Sequence, residues 1–314
     1  MFKYADYAYE VYKEKSFTKA AENLFISQPS LSLTIKKLEN SLGAPIFDRS
    51  AREIVLTDIG EKYISAVLEI KNLEKSLRNE IDDLQKLKKG TITIGSTIFV
   101  SSYILPDILR KFKSIFPLIV INIIVEQSSV LENMLENGSV DFIIDNALLK
   151  QNQYQYIPVM KERILVAVPK AFAVNDKLKE NEIFYSEIKR THNWYENKSK
   201  INISELKKEN FILLKHGNKM RKITNNIFKE NNISPDVVYE FDHLMTSISY
   251  AEARFGICFL TDMVLKYAKK LKDISLYLPD TLHSERTLYI IRKQNKYHSF
   301  ATNELIKCIT DFLK

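Results

Sequence analysis

The 314-residue sequence predicts a mixed α/β protein in three parts: an α-rich head, one long helix, and a two-lobed α/β domain. Three observations carry that reading. The stretch SFTKAAENLFISQPSLSLTIKKLEN (16–40) reads as two short helices around a tight turn. Between about Asp58 and Lys88 the apolar residues recur at spacings of three, four or seven, with charged residues between them, as one long helix requires. From Gly90 onward, short apolar strands alternate with helical stretches, the pattern of a parallel sheet with crossover helices.

The first helix is expected over Phe2 to Lys15, with Phe2, Ala5, Ala8, Tyr9 and Tyr12 inward. Thr18 is placed to cap a second helix from about Lys19 to Leu24, where the small Ala20 and Ala21 allow close packing. Ser27 stands where the next N-cap belongs, and Pro29 is tolerated in the first turn because its missing N–H has no helical partner there. Leu31, Ile35, Leu38 and Leu42 form one face of that third helix. The opposite face carries Pro29, Ser30, Leu33, Lys36, Lys37 and Asn40, flanked by Gln28 and Ser32. An amide can pair with adenine, hydroxyls with several base edges, and lysines with phosphates, so this face suits a DNA major groove. A solvated amphipathic helix would look similar; the surroundings decide between them. Gly43 and Pro45 stop the helix. Two short strands, Ile46 to Asp48 and Ile54 to Leu56, follow, with Arg49 and Arg52 at the tip between them as phosphate or minor-groove contacts.

This gapless run, continuing SLGAPIFDRSAREIVLTDIGEKY, closely resembles the winged helix-turn-helix of LysR-type transcriptional regulators. Ala20, Ala21, Ser27, Gln28, Pro29 and Ile35 carry the resemblance, as do Gly43, Phe47, Thr57 and Gly60. It implies a DNA-binding head at 1–58, a linker and dimerisation helix at 59–89, and an effector-binding domain at 90–314. It also implies a homo-oligomer, a tetramer built from two kinds of dimer contact, with double-stranded operator DNA as partner and RNA polymerase as a further partner if the protein activates. Thr18, Lys19 and Ser27 complete the expected DNA-contacting set.

Thr57 is placed to cap the long helix, on which Tyr63, Val67, Ile70, Leu77, Ile81 and Leu84 form the expected dimer seam. In the last part, strands are expected at Thr91 to Gly95, Ile119 to Glu126 (buried), Phe142 to Asp145 and Ile164 to Pro169. Helices are expected from Ser101 or Ser102 and from Ser128. A second lobe repeats the theme to about 267, and Ile274 to Leu278 is expected back in the first lobe with Leu288 to Arg292 and a last helix. This layout resembles the type 2 periplasmic-binding-protein fold, which the family uses to hold small effectors between lobes, here about 90–161 with 268–314, and 162–267. Ligands of such sheets sit beyond the carboxyl ends of strands, near helix N-termini. That selects Ser96, Thr97 and Phe99, then Asn146, then Asn218 and Lys219, then His243, Met245 and Thr246. The resemblance points to Thr97 and Asn146 as well. Arg254 stands where relatives have a small residue, and either lines the cleft or faces solvent. The segment 171–210 matches least and is expected to be an added helix over the cleft or a surface arm.

Composition excludes more than it selects. No apolar run is long enough for a membrane span, and the charged N-terminus has no signal core, so a cytoplasmic protein is expected. Cys258 and Cys308 read as separate thiols rather than a disulfide. The five histidines show no metal spacing, and phosphate-binding or nucleophile-elbow motifs are absent, so neither an enzyme nor a cofactor is expected. The net charge of +7 is not evidence for DNA, because residues 1–58 hold eight basic and eight acidic side chains. A solute-binding protein would account for the last two-thirds, and a structural DNA-binding protein for the head; only a regulator accounts for both.

Overall fold

The computed structural model describes residues 2–48, 54–84, 89–146, 151–190, 193–268 and 270–313, with the side chains of 82, 84 and 151 set aside. A 3-10 turn, Phe2–Tyr4, leads into α1 (Ala5–Glu14). Its buried residues are Ala8 and Val11; Phe2 and Tyr12 are exposed, so the inner stripe lies one position round from the expected one. Helix α2 (Phe17–Asn23) starts earlier than expected. Ser16, not Thr18, is the N-cap, its hydroxyl accepting from Lys19 N–H at 3.3 Å. Helix α3 (Gln28–Leu42) is capped by Ser27 as expected and ends at Gly43 with φ +75°, a conformation only glycine adopts freely. Leu31, Ile35 and Leu38 bury against Ala8, Val11, Ala20 and Ala21.

Strands β1 (Phe47–Asp48) and β2 (Val55–Leu56) pair antiparallel as a small wing. Glu39 reaches from α3 to accept from the Ile46 and Phe47 N–H groups at 2.9 and 3.3 Å, tying wing to helix. Helix α4 (Asp58–Leu84) opens with the Thr57 hydroxyl accepting from Gly60 N–H at 3.0 Å. A Cβ at Gly60 would run into the Ile46 carbonyl, so only glycine lets α4 start this close to the wing. The first turns of α4 belong to the head. Tyr63, Ile64 and Val67 are buried in the same core as α3.

The remaining residues build two lobes on one ten-stranded sheet among the described residues. In lobe I, β3 (Gly90–Ser96), β4 (Ile119–Val125) and β5 (Phe142–Asp145) are parallel, joined by α5 (Ile98–Tyr103), α6 (Leu105–Ile115) and α7 (Ser128–Glu136). The first of these helices begins at Ile98, not Ser101, and Pro106 lies in the first turn of a second one. Ser128 is the first residue of α7, with Gln127 as its N-cap. Strand β4 is not buried as expected. It is the sheet edge, and Val120, Ile123 and Val125 are exposed.

Strand β6 (Tyr154–Pro169) is far longer than expected and runs through both lobes. Its first half pairs with β12 (Glu285–Lys293) in lobe I, and its second half with β10 (Ile257–Thr261) and β11 (Ile274–Pro279). Strand β11 therefore lies in lobe II, and the chain returns to lobe I only at about Glu285, not at 268. Lobe II also holds α8 (Asn175–Leu178), α9 (Tyr185–Arg190), β7 (Lys200–Ile201) and β8 (Asn210–Leu214). Helix α10 (Lys219–Glu230), β9 (Asp236–Phe241) and α11 (Leu244–Glu252) complete it. Helix α12 (Phe300–Leu313) closes lobe I. The segment 171–210 is neither arm nor lid. Ile183, Ile188 and Trp194 pack into the lobe II core, and Trp194 Nε1 donates to Asp262 Oδ2 at 3.0 Å.

Candidate functional site

Two sites emerge, one at each end of the chain. At the head, the apolar face of α3 is spent on the core, so its other face is what the fold presents. Leu33 is 58 % exposed, and Gln28, Pro29, Ser30, Lys36 and Lys37 are exposed with it, as is the Ser27 cap residue. Ser32 is half-buried on the flank, and the Thr34 hydroxyl turns back to the Ser30 carbonyl at 2.9 Å. Thr18 and Lys19 are exposed on α2. The exposed face is therefore cationic and amide- and hydroxyl-bearing around one leucine, which fits a groove rather than a protein core. Arg49 and Arg52 lie outside the described residues. Phe25, in the turn ahead of α3, is 95 % exposed with φ +55°, a conformation that costs a bulky residue energy. Sequence reasoning passed over it as the residue that merely leaves the helix.

Of the expected dimer seam, Tyr63 and Val67 are taken up in the head core and cannot also face a partner. Ile70, Leu77 and Ile81 are exposed, and Leu73, missed from sequence, is 71 % exposed between them. The side chain of Leu84 lies outside the description. The i, i+3, i+7 spacing of 70, 73 and 77 would have found Leu73 had the buried turns been subtracted first.

The second site is a cavity of about 400 Å³ between the lobes. It opens where β3, β4 and β5 end on one side and β8 and β9 on the other, as the strand-end rule requires. Thr97, Phe99, Asn146, Asn218, Lys219 and His243 line it, bringing together most of the residues selected from sequence. Ser96, Met245 and Thr246 do not. Ser96 is fully buried with its Oγ 2.5 Å from Ser101 Oγ, and Met245 packs into the lobe II core. Arg254 is exposed and outside the cavity. Arg221 sits behind the wall, donating to the Leu214 carbonyl at 2.8 Å and to Glu240 at 2.5 Å, and that hydrogen bond holds Glu240 below the usual carboxylate range.

The cavity is laced by ion pairs. Asp145, 1 % exposed at the end of β5, accepts from Lys219 Nζ of the opposite lobe at 3.0 Å. Arg286 Nε donates to Glu162 Oε2 at 2.5 Å, and Asn146 Nδ2 to Glu162 Oε1 at 3.1 Å. Burial pushes the Glu162 carboxyl up, against the pull of Arg286. Lys215 pairs with Asp242 at 2.7 Å, and that hydrogen bond lowers the Asp242 carboxyl. Asp145, Glu162 and Arg286 were not selected from sequence. A carboxylate closing the apolar run Phe142-Ile143-Ile144 was the one available signal for Asp145; Arg286 comes from a strand far along the chain and gave none.

Another carboxylate stands just before the start of β5. Asp141 accepts from Thr93 N–H at 2.8 Å and from Lys75 Nζ of α4 at 2.7 Å, with Lys296 Nζ 3.7 Å away. Asn72 Nδ2 donates to the Asn137 carbonyl at 2.5 Å, and Tyr297 to Asp83 at 2.6 Å. A four-residue strand thus joins the cavity to the long helix. Among the described residues no cluster of His, Cys, Asp and Glu could hold a metal ion, and no helix is long and apolar enough to cross a membrane.

Comparison with known proteins identifies both domains. Residues 3–61 match the model of the bacterial regulatory helix-turn-helix protein, lysR family, and residues 85–314 match the LysR substrate binding domain. The chain is 27 % identical, over 99 % of its length and 94 % of the relative's, to the uncharacterized HTH-type transcriptional regulator YcgK of Bacillus subtilis. Its fold is similar to that of a full-length OxyR variant from Pseudomonas aeruginosa (TM-score 0.67, 20 % identity, covering 98 % and 96 % of the two chains). It is also similar to full-length CbnR complexed with its target DNA (TM-score 0.63, 14 % identity, covering 100 % and 98 %). The two family matches, one over the helix-turn-helix and α3 and one over the cavity, leave only residues 62–84 between them, and the chain belongs to the LysR family of DNA-binding transcriptional regulators, with an effector-binding domain.

Proposed function

We propose that a small-molecule effector binds in the interlobe cavity and, by favouring one arrangement of the lobes, changes how a homo-oligomer of this chain holds its operator. The observation that carries this is the pair of carboxylates on and beside β5. Asp145 ties lobe I to lobe II across the cavity, and Asp141 ties the same strand to the linker helix. A ligand that alters the first contact bears on the element that holds the second. The process is a population shift, and its size equals the ligand's differential affinity for the two arrangements. The chain's own residues serve as the binding groups, and no cofactor is part of the scheme.

Two exposed apolar surfaces support self-association, one on α4 through Leu73 and Leu77, the other on the β4 edge through Val120 and Ile123. Separate patches of this kind allow a tetramer from two kinds of contact. The protein acts on chromosomal DNA in the cytoplasm, and RNA polymerase is its further partner if it activates. CbnR, similar in fold and solved with its target DNA, supports DNA as the partner of this chain.

The test is a footprint on DNA upstream of the protein's own gene, with and without a metabolite extract. A sequence-specific footprint that shortens or moves with extract is expected; salt-sensitive smearing without a footprint overturns the reading. Gln28→Ala or Ser32→Ala should cost about 1–3 kcal/mol on the matched site and much less on random DNA. Leu33 is placed to meet a thymine methyl, so uracil substitution at one operator position should weaken binding.

A further inference from the structure

We infer that the cavity takes a zwitterion of the α-amino-acid class. This rests on the reading of the cavity as the effector site and concerns only what fills it. The argument starts from the way charge is already matched there. Lys215 has Asp242, Lys219 has Asp145, and Arg286 has Glu162, at 2.7, 3.0 and 2.5 Å. Glu126 on the lobe I rim adds a further carboxylate, with no ion pair to another described residue. Among the described residues, no lysine or arginine facing the cavity is waiting for an anion.

A simple anion that takes a cation in this space draws Lys219 away from Asp145. Asp145 is 1 % exposed, and its other oxygen is held by its neighbour's N–H at 2.7 Å. A carboxylate left buried without a cation is strongly destabilising. A simple cation can take Asp145 only by turning Lys219 toward Glu132, 3.8 Å away, and it leaves the anion-binding groups around Lys219 without a partner. A zwitterion exchanges the pair. Its ammonium takes Asp145 while Lys219 turns to its carboxylate, so the number of matched charges is unchanged and no charge is orphaned.

The donors for that carboxylate are beside Lys219. Helix α7 has nine residues, and its N-cap side chain makes no capping bond, leaving the Ser128 and Ser129 ends facing the cavity. Lys219 Nζ already reaches that helix, 3.8 Å from Glu132, one turn beyond Ser128. Half-buried Thr97 also lines the cavity, and its hydroxyl makes no capping bond. Apolar walls from Phe99, Leu214 and Leu244 are left for a side chain, and about 400 Å³ is at the small end for ligand pockets.

The experiment is a thermal-shift and calorimetric screen of the full-length protein against the standard L-amino acids, each with its 2-oxo acid and its decarboxylated amine, plus succinate as a dicarboxylate. One amino acid, or a chemically related few, should raise the melting temperature, with the matching 2-oxo acid and amine weaker by about tenfold or more. Asp145→Asn should lose the preference for amino acid over 2-oxo acid. Lys219→Met should lose the preference for amino acid over amine, and it keeps the test open if the first variant does not fold. Binding of succinate or a 2-oxo acid as tight as that of the amino acid overturns the ligand class and leaves the cavity as an effector site. Failure of every amino acid to bind at millimolar concentration also overturns it, and the footprint above judges the regulator reading separately.

Discussion

Glu39 shows how much a single side chain does in the head. It sits half-buried on the flank of α3's core stripe, and its carboxylate takes the N–H groups of Ile46 and Phe47, both buried residues. Without it, those donors have no replacement in a dry turn. Glu39→Ala should lower stability by about 2 kcal/mol, read as a lower urea midpoint for the head, while leaving the outward face of α3 intact. Cys258 is the second case. It is fully buried in lobe II, and burial pushes its thiol up to about 12. A thiol raised this far holds almost no thiolate at pH 8, and the thiolate is the reactive form. Iodoacetamide at pH 8 should therefore leave Cys258 unlabelled in the native protein and label it after denaturation, as peptide mass mapping will show. Cys308, raised by burial too, packs against the lobe I core, so the two thiols lie in different lobes and remain free.

Helix α4 divides into two stretches with different duties. Its first turns complete the head, with Val67 only 1 % exposed, while the row from Ile70 through Leu73, Leu77 and Ile81 is exposed and belongs to no described core. A long helix with an uncovered apolar row needs a cover, and in the oligomer proposed above a second copy supplies one. Leu73→Glu with Leu77→Glu should turn the oligomer into smaller species by sedimentation, with the melting of each chain little changed. Val67→Glu should instead melt the head, because it places a charge in a closed core. The contrast separates the seam from the fold in a way the unbroken periodicity did not.

At the scale of the whole molecule, β5 is the short link between distant ends. Asp141 is half of that link, and Lys75 is the linker's half. Asp141→Asn keeps an acceptor for the Thr93 N–H but removes the charge that Lys75 and Lys296 meet. The compound that stabilises the wild-type protein should still bind the variant within about threefold, yet should no longer move the footprint. Equal footprint shifts in both proteins would place the coupling elsewhere.

The head was legible because its signals are local. A cap, a proline in a first turn, a glycine after the last turn and a 3.6-residue stripe act within one helix, so order along the chain was enough to place α3 and its exposed residues. The alternation of strands and helices likewise made the two lobes and the strand-end position of the cavity readable. Long-range contact decided the rest. Whether Val67 faces a partner or the head depends on α1 packing against α4. Whether β4 is central or an edge depends on which strands pair, and β11 belongs to lobe II because it pairs with the far half of β6. The chemistry of the cavity is the clearest case. Asp145 meets Lys219, and Glu162 meets Arg286, across 74 and 124 positions of chain, and no spacing rule reaches that far. Local periodicity sets elements and faces; folding alone sets which charges share a buried space.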